Sequence, residues 1–267
     1  MRLFKRITSY EITKRQKLVF MSFFLSFVLV ATQTVPVNLR YQAIAVLGFA
    51  SVLLAAFALW GELSGIKYFL LLLLPVYFVI GASLFYFLLP VRWLTRLPFA
   101  FVFGISVYLL MLTSNIYNIA AIRTIALLRA AHAVGLLFSL VSTFFLTNVL
   151  LSLHFGVYVI VPAVIVISFP VYLVGLWSYE LEDFISRKVF VHACTFTLIS
   201  AEIAAVISFW PVAPINGALI MVTIMYVLLG LGQFVFHEKI RPRVIWEHLA
   251  VASIVMVIVV VATKWNG

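Results

Sequence analysis

Charge is what this sequence has least of: only 10% of its 267 residues are Asp, Glu, Lys or Arg. Soluble domains carry about 25%. A water-soluble fold of this length needs a polar shell that these residues cannot build. Cysteine is nearly absent as well. The single Cys194 lies in an apolar run and excludes an intrachain disulfide. Several signatures of chemistry are missing. There is no Gly-rich phosphate loop ending in Lys, no HExxH pair and no GxSxG elbow. No lysine stands in the middle of an apolar segment, where a retinal Schiff base would need one.

Apolar side chains fill the space that charge leaves. The hydrophobic share is 66%, mean hydropathy is +1.22, and there are 25 Phe. A membrane-spanning helix takes about 20 mostly apolar residues. Nine segments qualify, near 18–37, 41–60, 67–89, 98–120, 127–150, 155–177, 189–210, 214–236 and 246–263. Hydrocarbon satisfies no backbone N–H or C=O, so each span must be a helix. Short alternating strands, the mark of a membrane β-barrel, do not occur. The reading is an all-α, polytopic transmembrane bundle of about nine spans, with residues 18–267 as one domain. The first apolar run is too long for a signal-peptide core and reads as a retained helix.

The net charge of +10 points to membrane orientation, not to nucleic acid. With the N-terminus inside, only Arg40, Arg92, Arg96 and Lys264 of the 18 Lys and Arg fall outside. That asymmetry predicts a cytoplasmic N-terminus, an external C-terminus and residence in a cell membrane, inner or plasma. Residues 1–17 form a basic segment in which Leu3, Phe4, Ile7 and Tyr10 share a helical face. An in-plane amphipathic helix on anionic lipid headgroups is one reading, and a loose basic tail is the other. Between the sixth and seventh spans, Asp183 and Arg187 are spaced for an i,i+4 pair.

The polar groups inside the spans are the candidates for function. Glu202 lies well inside the seventh span, and an intramembrane acid is a functional hypothesis by default. His192 and Thr195 share its helical face. That face is expected to pack against other helices or to line a polar cavity, with a neutral, hydrogen-bonded Glu202 as the plain alternative. Arg129 and His132 stand one turn apart at the start of the fifth span. Arg129 can hold a phosphate or carboxylate, or simply reach the headgroups. Asn115, Asn118, Arg123 and Gln233 are weaker candidates. Ala131, Gly135, Ser139, Thr143 and Thr147 recur every fourth residue, a slim ridge that puts the fifth helix at the bundle's centre. Pro162 and Pro170 each free a backbone carbonyl in the sixth span. Two lone histidines, His132 and His192, do not make a haem site, and no cofactor or metal is expected.

These features lead to a small-solute or proton-coupled transporter, or a membrane sensor, with Glu202 as the titrating group. A non-catalytic scaffold or assembly subunit, with a protein partner or a second copy, is the alternative. An intramembrane enzyme acting on a lipid-linked phosphate through Arg129 ranks third, so the chain leans away from enzymes.

Overall fold

The computed structural model describes residues 13–59, 65–121, 126–237 and 242–263. Among them, nine helices are long and apolar enough to cross a membrane, and there is no strand. They are α1 (Lys14–Ala31), α2 (Arg40–Ala58), α3 (Ile66–Leu88), α4 (Trp93–Ala120), α5 (Leu128–Ser152), α6 (Val157–Glu180), α7 (Arg187–Ser208), α8 (Pro214–His237) and α9 (Pro242–Ala262). Each helix packs against the one before it in the chain. Odd-numbered helices therefore begin at one end of the bundle, called here the near end, and even-numbered helices begin at the far end.

The ends of these helices follow local chemistry. Thr13 caps α1 by accepting from the Gln16 amide, and the Gln16 side chain accepts from the Thr13 N–H in return. Residues 14–17 are thus the first turn of α1. The rest of the basic segment, residues 1–12, lies outside the described residues. The Ser186 hydroxyl accepts from the Val189 amide and starts α7 in the same way. Helix α4 starts at Trp93, five residues before the apolar pattern placed it. Arg96, expected in an external loop, is instead helical and 2% exposed.

Helix α5 is central: it packs on α3, α4, α6 and α8. The slim ridge is the reason. Ala131, Gly135, Ser139, Thr143 and Thr147 are all buried and let neighbours approach closely. The α3–α5 pair forms the spine, with Phe78 stacked on Phe103 of α4 at 5.8 Å and edge-on to Phe138 of α5 at 5.3 Å. Helices α1 and α2 flank α3 and α4 on one side, while α7 and α8 flank α6 and α5 on the other. Helix α9 leans chiefly on α8, and only 11% of its apolar window is buried.

Three prolines lie well inside α3 and α6, and two of the carbonyls they free are taken up by neighbouring helices. Pro75 has no N–H for the Leu71 carbonyl; the Ser114 hydroxyl of α4 donates to that oxygen at 3.0 Å. Pro170 leaves the Val166 carbonyl free, and the Tyr77 hydroxyl of α3 donates to it at 2.9 Å. The breaks in α3 and α6 are thereby converted into ties along α4, α3 and α6. At the near end Asp183 pairs with Lys67 of α3, not with Arg187. The i,i+4 geometry needs a helix, and Asp183 sits in the non-helical link before α7.

Candidate functional site

Two polar regions stand out, and the candidate residues divide between them. The first is an interior cluster near the near end, built around His132. Its Nε2 donates to the Ser178 carbonyl at 2.9 Å. That carbonyl belongs to the last turn of α6, where no intrahelical N–H is left to meet it. His132 therefore caps a neighbouring helix from the side. Its ring lies between Tyr179, 4.5 Å away, and Tyr117, 5.6 Å away. The Tyr117 hydroxyl donates to the Ala131 carbonyl at 3.0 Å, directly over Gly135. A Cβ on Gly135 would stand 2.5 Å from that oxygen, so only glycine admits the tyrosine there. Tyr179 donates to Gln233 Oε1 of α8 at 3.2 Å, and the Gln233 amide donates to the Gly230 carbonyl at 2.7 Å. These groups link α4, α5, α6 and α8. Beside them lies a cavity of ≈ 20 Å³ lined by Tyr117, His132, Ser139 and Ser178, room for about one water molecule.

The second region is the outer face of α7. Val191, Thr195, Leu198, Glu202, Val206 and Phe209 all face outward, at helical spacings of three or four, and all are exposed. The inner face carries Val189, Ala193, Thr197, Ser200, Ala204 and Ile207, all buried. Glu202 is thus not packed against the bundle's own helices and lines no described cavity. Six residues separate it from the end of α7 at Ser208, about 9 Å along the axis. Helical side chains tilt toward the N-terminus, which here aims the carboxyl toward the middle of the bilayer. Thr195 spends its hydroxyl on the Val191 carbonyl of its own helix at 3.0 Å. His192 is half-buried, with Nδ1 donating to the Lys188 carbonyl at 2.7 Å and its ring against Phe196 and Phe236.

The predicted site residues are therefore not gathered in one place. Arg129 is exposed at the near end, a turn below His132 but outside its cluster. Asn118 is buried and Asn115 half-buried on α4. Gln233 joins the His132 cluster through Tyr179. Arg123 lies outside the described residues. Among the described residues no group of three or more His, Cys, Asp or Glu could hold a metal.

Sequence reasoning passed over Tyr117, Tyr179, His248 and Arg96. His248 of α9 is buried and stacked on Tyr226 of α8 at 4.7 Å. The glycines carried the missing signal: Gly135 faces Tyr117 and Gly230 faces His248. Arg96 packs over the Tyr86 ring at 5.1 Å and reaches the Leu89 carbonyl, and no pattern of spacing announced it.

No protein-family model, curated protein or solved structure matches this chain. The architecture is that of a multi-pass helical membrane protein. Its function has to be read from the two polar regions alone.

Proposed function

We propose that this protein is a membrane assembly subunit, a rigid bundle that binds another membrane helix along the outer stripe of α7. The observation that carries this reading is the outward-facing Glu202. Hydrocarbon satisfies a carboxyl group in neither protonation state. A charged side chain at mid-helix costs roughly 2.5–3.5 kcal/mol on insertion scales. A neighbouring helix with a hydrogen-bond donor at the same depth removes that cost. The Val191-to-Phe209 spacing is the seam on which such a helix packs. The complementary partner bears Arg, Lys, Asn or a hydroxyl opposite Glu202.

The interior argues the same way. A carrier needs a hydrated path to its titrating group and helices that can move. Glu202 lines no described cavity, the His132 cavity has room for about one water, and the breaks at Pro75 and Pro170 are tied by Ser114 and Tyr77.

A photocrosslinker at Leu198, used in native membranes, tests the proposal. The expected result is a discrete protein adduct that Glu202→Leu reduces at least tenfold, with the thermal stability of the bundle unchanged. Glu202→Gln keeps part of it, because an amide still hydrogen-bonds. Undiminished adduct in Glu202→Leu sinks the proposal. So does solute transport by the reconstituted protein that Glu202→Gln abolishes.

A further inference from the structure

Helices α2 and α5 both pack on α3 without packing extensively on each other. The gap between them, over the last turns of α3, is a groove of ≈ 420 Å³ near the far end. This falls within the roughly 300–1,000 Å³ of ligand pockets. Its walls include Ile44, Leu84, Val149, Leu150 and Ile167, with Arg40 and Tyr41 of α2 at one end. Arg40 is half-buried, its guanidinium 5.3 Å from the Phe87 ring. Its Nε is buried with no hydrogen-bond partner, and no carboxylate among the described residues pairs with it. A buried, unpartnered guanidinium donor carries a desolvation cost that an anion would repay.

The charge around the groove has one sign. The links at this end, residues 32–39, 89–92, 153–156 and 209–213, contain no Asp or Glu, while Arg40, Arg92 and Arg96 are all here. An aliphatic trough ending in an arginine matches one class of molecule in a bilayer. We infer that the groove holds one acyl chain of an anionic phospholipid, with its phosphate on the Arg40 guanidinium and the Tyr41 hydroxyl. This site lies on other helices than α7 and stands independently of the partner proposed there.

Native mass spectrometry of the detergent-purified protein, titrated with phosphatidylglycerol or phosphatidylcholine of identical chains, reads the site. The wild type is expected to retain one phosphatidylglycerol, at least fivefold in preference to phosphatidylcholine. That factor is about what one arginine near an anionic headgroup contributes. Arg40→Gln should abolish the preference while still holding a chain. Val149→Trp, and separately Leu84→Trp, should lose both lipids with melting temperature retained. Unchanged preference in Arg40→Gln overturns the headgroup assignment, and that exchange at the groove's end leaves the packed core intact. Lipid retained by both folded tryptophan variants overturns the groove. A change of oligomeric state on filling, in place of lipid loss, assigns the groove to a protein and overturns the inference as well.

Discussion

Gly230→Ala is expected to destabilise the bundle by about 3 kcal/mol, against the intrinsic trend. In a helix interior, alanine is ordinarily better than glycine by about 1 kcal/mol. Here the added Cβ would overlap the His248 imidazole. That ring cannot swing away cheaply. It stacks on Tyr226 at an interplanar angle of 17°, and its Nδ1 donates to the Val244 carbonyl at 2.8 Å. Overpacking typically costs 1–3 kcal/mol, and losing the aromatic stack adds roughly 0.5–1.5. Helix α9 has few other holds, since it leans chiefly on α8. Unfolding by graded denaturing detergent should therefore show α9 releasing first, followed by a transition shifted well below that of the wild type. His248→Ala in the same chain removes the obstruction, so the double variant should match His248→Ala alone. Wild-type stability in Gly230→Ala would refute the close fit, and so would a double variant no better than Gly230→Ala.

Segment length and hydropathy locate the nine helices because lipid imposes one requirement on every span, and the slim ridge on α5 identifies the central helix. Rotation about each axis is another matter. In a soluble helix the apolar face points inward, but here both faces of α7 are apolar, and the hydrophobic pattern does not tell them apart. The sequence pattern consequently groups Glu202 with His192 and Thr195 on a face expected to pack inward, whereas Glu202 is exposed. The inward signal was size: Ala193, Ser200 and Ala204 are small and buried, as expected where helices meet without water to drive them together. Arg96 is a related case. Two cations and a proline in 92–98 look like a loop, whereas residue 96 is helical and its side chain packs over Tyr86 of the neighbouring α3. The His132 cluster depends on Ser178 and Tyr179, over forty positions away in the chain, and no local spacing links them.

The largest remaining effect is predicted where backbone was left incomplete on purpose. Tyr77→Phe and Ser114→Ala each delete one hydroxyl and no packing volume of consequence. Side-chain hydrogen bonds between membrane helices average only about 0.6 kcal/mol, because a lost partner is usually replaced. The Val166 and Leu71 carbonyls have no replacement: Pro170 and Pro75 carry no N–H, and lipid offers none. Each single variant should therefore cost roughly 1–3 kcal/mol, the range for an acceptor left without a donor away from water, and the pair roughly 2–6. The decisive background is Pro170→Ala. It restores an N–H for the Val166 carbonyl, so Tyr77→Phe should become nearly silent there while Ser114→Ala keeps its full cost. Equal cost of Tyr77→Phe with and without Pro170 would mean that the tyrosine acts through packing alone. The ties would then no longer hold α6 against α3, and the rigidity on which the assembly role of α7 relies would lose its physical basis.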